Sequence, residues 1–192
     1  MSSKPAMNPT DSRKRPAGSG YDSTFAVMVL SSIALSVFLF QMSPGPRSES
    51  KPFDSFEDFY PFYISQHQDE TCRRLHVVGT TLVLVLTALN PSVLLCGILA
   101  ASVGTGACHA LRGQSTGIAE MALMMCTMQL CMRKLSGGWW AGLRIPLLAY
   151  SFAWAGHFFF ELNTPATFLY PAYSLGGDLR MWAEVVFGQR QF

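Results

Sequence analysis

The sequence predicts an all-α, polytopic membrane helix bundle, with about four spans in its core plus an N-terminal anchor helix and interfacial helices. Three observations predict it. Of 192 residues, 49 % are hydrophobic and only 14 % charged, too apolar a balance for an ordinary soluble domain. Apolar stretches of near-span length recur along the chain, punctuated by Pro, Gly and Asn. The histidines all lie at or near the ends of those stretches, where ionisable groups are costly and tend to have a function. A net charge of +2, with no basic stripe beside aromatics, argues against a nucleic-acid partner.

Residues 1–23 are polar, basic and rich in Ser, Pro and Gly, the composition of a disordered tail. Thr24 to Met42 is nearly uncharged and, at roughly 1.5 Å per residue, would span about 28 Å. Its exit, Gln41-Met42-Ser43-Pro44-Gly45-Pro46, offers no convincing small-x-small cleavage site, which favours an uncleaved anchor over a signal peptide. Phe53 to Gln66 mixes acids with aromatics around Pro61, as an interfacial helix broken or kinked at that proline would. Four apolar stretches follow, near residues 73–89, 92–111, 117–132 and 143–160; the third is short and Met-rich. Asn90-Pro91 reads as a tight reversal, and Ser136-Gly137-Gly138 as a break before the last stretch. Residues 162–192 carry Pro165, Pro171 and Gly176-Gly177, then a short amphipathic tail, so the helical membrane domain is placed at 53–185. Trp139, Trp140 and the aromatics at 56–63 read as interfacial anchors.

Parity places the histidines. His76 opens the first of the four stretches, His109 ends the second and His157 nears the end of the fourth. Even numbers of crossings separate them, so all share one membrane face with His67. On one continuous helix, nine residues at 100° each would set His67 and His76 on opposite sides. Convergence therefore needs a break at Gln68-Asp69-Glu70-Thr71, with Asp69 or Thr71 capping the next helix. Tyr150, Trp154, His157 and Glu161 share one face of the last helix at helical spacing.

Three imidazoles beside a carboxylate make a sensible metal shell, with His67, His76, His157 and Glu161 as candidate ligands and catalytic residues. Such a set suits Fe(II), Zn(II), Cu(II) or Ni(II), and mixed imidazole–carboxylate sites with open positions suit oxygen-activating iron. Zinc with an activated water would instead give a lipid hydrolase, and interfacial histidines satisfied by backbone or water would leave a non-catalytic scaffold or lipid-binding protein. Glu161 is a ligand or an acceptor that orients His157. Arg73 and Arg74 are candidates to bind a fatty-acid carboxylate, or they snorkel to phosphates. Asp178 reads as a solvated turn residue, and the five cysteines, without metal-ligand spacing, as small buried hydrophobes.

The motifs Phe59-Tyr60-Pro61-Phe62-Tyr63, His67-x8-His76 and Gly156-His157-x3-Glu161, followed by Asn163-x-Pro165-Ala166-Thr167-Phe168, resemble a known membrane family. It includes the fungal 2-hydroxy-fatty-acid dioxygenase of phytosphingosine breakdown. The resemblance covers about residues 53–90 and 144–185, with an extra helix pair within 92–144 relative to shorter relatives. It implies an Fe(II)-dependent enzyme of the endoplasmic reticulum membrane that uses O2 to shorten a 2-hydroxy fatty acid by one carbon, an α-oxidation. By motif, His67, His76 and His157 become iron ligands, with Glu161 a ligand or its support.

Overall fold

A computed structural model describes residues 23–41, 49–138 and 140–192. The tail expected at 1–23 falls almost wholly outside these residues, as do Met42 at the end of the anchor stretch and Trp139. Among the described residues the architecture is all-helical, without strands: α1 (Ser23–Gln41), α2 (Phe56–Ser65), α3 (Glu70–Leu89), α4 (Pro91–Ala110), α5 (Ile118–Ser136), α6 (Arg144–Gly156) and α7 (Pro171–Val186). A π-helical turn, His157–Glu161, continues α6, and a 3-10 turn, Ala166–Phe168, precedes α7. By length and composition, α3 and α4 are apolar enough to cross a membrane.

Local chemistry sets the boundaries. The Asp69 carboxylate caps α3 by accepting from the Cys72 N–H at 2.9 Å. Asn90 ends α3 and its side chain caps α4 at Ser92, with Pro91 at the first helical position, so the expected reversal is present. Gly137 stops α5 in the left-handed region at φ 74°, after Arg133 and Lys134 in the last turn.

Two expectations are corrected. α2 runs through Pro61 without a break. The proline leaves the Glu57 carbonyl without its helical donor, but Glu57 is exposed to water, while Phe59, Tyr60 and Tyr63 bury their rings and hold the helix. The pair Gly176-Gly177, read as preceding a short tail, lies inside α7. There a Cβ at Gly177 would stand 2.8 Å from the Tyr63 ring and one at Gly176 3.1 Å from Phe56, so glycine lets α7 press onto α2.

Three packing units result. α3 pairs with α6 through Gly79, whose added Cβ would meet Phe152 at 2.9 Å. α4 packs on both α5 and α1, with Val93, Cys96, Leu99, Met128 and Cys131 buried between α4 and α5. α1 is thus packed against the bundle, with the Ser36 hydroxyl donating to the Ser102 carbonyl at 2.8 Å. α2 and α7 form an aromatic cap built on Phe59, Tyr63 and Tyr170. The cap is tied to α5 by a buried ion pair, Lys51 Nζ to Glu120 Oε1 at 2.5 Å. Removing either partner would strand a buried charge, at a cost of about 3–5 kcal/mol.

Candidate metal centre

α2, α3 and the end of α6 each deliver one histidine. His67 follows the last turn of α2, and the short Gln66–Asp69 connection turns the chain so that His76, on the second turn of α3, faces it. α6 approaches α3 closely because Gly156 has no side chain; a Cβ there would lie 2.8 Å from Cys72 Sγ. His157 follows at once. The ring centroids are 4.5 Å apart for His67–His76, 4.6 Å for His67–His157 and 5.2 Å for His76–His157. All three are buried.

Each ring is oriented by a partner on Nδ1. His67 Nδ1 donates to the Tyr63 carbonyl at 2.6 Å, His76 Nδ1 to Asp178 Oδ1 at 2.5 Å and His157 Nδ1 to Asn163 Oδ1 at 2.7 Å. A carbonyl oxygen only accepts, so Nδ1 of His67 carries its proton. The Asn163 amide is oriented by its own bond from Nδ2 to the Gln66 carbonyl at 3.0 Å. With the proton on Nδ1, each neutral ring keeps a bare lone pair on Nε2. His67 Nε2 and His76 Nε2 are buried without a hydrogen-bond partner among the described residues.

Buried acceptors left facing one another are costly unless something cationic lies between them. The group fits a metal ion. His67, Cys72, His76 and His157 each bring a ligand atom, all within 4.8 Å of one another. Burial, then the neighbouring His76, pushes the His67 imidazole down to about 3, so it stays neutral and available as a ligand at physiological pH.

Around this group the site residues sort plainly. Glu161 stands outside it: its carboxylate accepts the Asp69 N–H at 2.6 Å, at the positive end of α3. The Leu162 N–H reaches back to the His157 carbonyl, closing the π turn that holds both His157 and Glu161. The Arg73 guanidinium donates to the carbonyls of His67 and Gln68 at 2.8 and 2.6 Å. Arg74 is exposed and paired with Glu70. His109, half-buried near the end of α4, lies outside the group.

Asp178 is corrected from a solvated turn residue to a helical one, accepting from both His76 Nδ1 and, at 2.7 Å, the Tyr63 hydroxyl. Burial works to raise its pKa, but His76 and the two hydrogen bonds outweigh it and hold the carboxyl below its usual range. Cys72 is buried, as expected, and also stands one turn before His76 on the same helix, a spacing that suits a shared ligand set. The remaining cysteines are free; Cys96, Cys108 and Cys131 are buried as expected, while Cys126 is corrected to an exposed residue of α5.

A cavity of about 340 Å³ opens beside His76 and His157, with Tyr63 and Asp178 also at its polar end. It runs between the α3–α6 and α4–α5 pairs, and its walls are almost wholly apolar. Neither Arg73 nor Arg74 lines it. Along α3 the lining runs from His76 to Thr87, a rise of about 16 Å at roughly 1.5 Å per residue.

The model of the family described as 2-hydroxy-palmitic acid dioxygenase Mpo1-like matches residues 53–190. The chain belongs to the Mpo1-like family. That match covers α2 to α7, and so every residue of the histidine group, its partners and the cavity. No curated protein and no solved structure matches this Mpo1-like chain.

Proposed function

We propose that the protein is an integral-membrane, Fe(II)- and O2-dependent dioxygenase that shortens a 2-hydroxy fatty acid by one carbon. The observation that carries the proposal is the set of three buried imidazoles, fixed through Nδ1 and bringing ligand atoms within 4.8 Å of one another, beside a long apolar cavity. Membership of the Mpo1-like family supports the substrate class.

His67, His76 and His157 would hold the iron, with Cys72 alongside. Bound there, Fe(II) would supply the redox chemistry toward a 2-hydroxy acid and O2. The chain's own residues do the rest. Asp178, Asn163 and the Tyr63 carbonyl hold the imidazole protons at Nδ1 and keep Nε2 free. Glu161 acts as support, by holding the Asp69 N–H where the chain turns between His67 and His76. Arg73 steadies the same turn through the His67 and Gln68 carbonyls, which leaves the substrate carboxylate to the polar end of the cavity.

The hydrocarbon tail lies in the cavity. From C2 of 2-hydroxypalmitate to its methyl end there are about fourteen bonds, or about 17 Å at the roughly 1.2 Å per bond of an extended chain. That matches the cavity's depth of about 16 Å along α3. The bilayer supplies such substrates, and the exposed Leu30, Ile33, Val85 and Leu86 on α1 and α3 fit lipid contact better than water. Residence in the endoplasmic reticulum membrane and a role in sphingolipid-derived fatty acid breakdown belong to the same proposal.

Purified protein loaded with Fe(II) without oxygen, given 2-hydroxypalmitate and then O2, should yield the acid one carbon shorter by mass spectrometry. Product absent without O2 and lost in His157→Ala establishes the reaction. Tightly bound iron with no product from any 2-hydroxy acid would overturn it.

A further inference from the structure

Gly97 leaves a gap in the cavity wall, and we infer that this glycine sets how long an alkyl chain the protein accepts. The inference rests on the proposed fatty-acid reading of the cavity.

A glycine within a helix is disfavoured relative to alanine, so it needs a reason. At the other described helical glycines the reason is contact. An added Cβ would meet a neighbour at 3.1 Å or less at Gly79, Gly104, Gly106, Gly156, Gly176 and Gly177. Gly97 differs. It lies near the middle of α4 and lines the cavity, yet a Cβ there would meet nothing within 4 Å. No neighbouring element demands the missing side chain; its effect is to leave volume free. Met124 and Met128 of α5 line the same space, and their unbranched side chains adapt to an alkyl chain.

Gly97 also sits at a defined depth. The α3–α4 reversal is at Asn90, seven residues before Gly97 and seven after Val83. Val83, itself a lining residue, is seven residues beyond His76, or about 10 Å along α3 at roughly 1.5 Å per residue. The lining continues to Thr87 on α3 and Val93 on α4, about 6 Å further. At roughly 1.2 Å per bond, the space beyond Gly97 takes about five carbons. A large side chain at this position would close it off.

The test is the chain-length profile of Gly97→Phe against wild type, using a homologous series of saturated 2-hydroxy acids. Two readouts are taken: turnover of the iron-loaded protein, and the rise in melting temperature each acid gives without O2. Gly97→Phe should lower the longest accepted acid by about five carbons in both readouts. Gly97→Ala, whose methyl group has open space before it, should keep the wild-type profile. A folded Gly97→Phe with an unchanged length limit overturns the inference. Should Gly97→Phe fail to fold, Gly97→Val replaces it, with a smaller downward shift expected and an unchanged limit again decisive. A wild type that turns over no acid of any length overturns the proposed reaction, and the melting-temperature series then decides the length limit separately.

Discussion

Replacing Asp178 with alanine should weaken metal binding and destabilise the fold by amounts that can be worked from its contacts. Asp178 Oδ1 accepts from His76 Nδ1 at 2.5 Å and from the Tyr63 hydroxyl at 2.7 Å, and both donors belong to buried residues. Asp178→Ala leaves two donors without a partner, each at about 1–3 kcal/mol. The Asp178 side chain is 27 % exposed, so water entering the vacated space should keep the total near the lower end, about 2–3 kcal/mol. The effect on the metal has a different origin. Without its carboxylate, His76 loses the group that keeps its proton on Nδ1 and raises the basicity of Nε2, a loss worth about 10–100-fold in affinity. Asp178→Asn keeps an acceptor oxygen and removes the charge, so it should lie near tenfold. The assay is anaerobic Fe(II) titration against a competing chelator, with thermal unfolding of the metal-free protein alongside. Arg74→Ala, at an exposed surface pair, should change stability by no more than about 0.5 kcal/mol and serves as the control. An Asp178→Ala protein that loses stability but binds Fe(II) within twofold of wild type would refute the reasoning, because His76 would not then depend on Asp178 for its role.

Two further outcomes follow from the same geometry. The metal-free protein should lose stability as pH falls. The His67 imidazole titrates at 6.5 when exposed and at about 3 when folded, so below 6.5 the unfolded chain takes up a proton that the folded one refuses. Stability should therefore be level above pH 6.5 and decline toward pH 3, by several kcal/mol at roughly 1.4 kcal/mol per pH unit, and His67→Ala should flatten that decline in a melting series. Gly156→Ala should push α6 away from α3, since its methyl would meet Cys72 Sγ at 2.8 Å; a loss of about 1–3 kcal/mol, with weakened Fe(II) binding, is expected by the same assays.

Much of the site was legible from spacing. The separation of His67 from His76 demanded a break, and Asp69 was a natural cap for the helix that follows; both are present. The Asn90-Pro91 reversal and four successive helices on the expected stretches are present as well. What escaped was whatever departs from regular periodicity or depends on distant partners. Glu161 stands four residues after His157, and nothing local shows that its carboxylate meets the Asp69 N–H, 92 residues away in sequence. Asp178 was hidden behind Gly176-Gly177, since nothing local reveals that the Tyr63 and Phe56 rings would make glycine favourable inside a helix. Cys72 carries a signal of its own, one turn before His76, that a common reading of all five cysteines passes over. The Lys51–Glu120 pair joins residues 69 apart in sequence, and no local pattern announces it.

The central claim is that His67, His76 and His157 together hold one metal ion. Fe(II) content, measured on protein purified and loaded without oxygen, tests it most directly in wild type and in His67→Ala, His76→Ala and His157→Ala. The account predicts about one equivalent per chain in wild type and its loss in each variant, with the variants still folded by thermal unfolding. Wild-type occupancy in all three folded variants would contradict it.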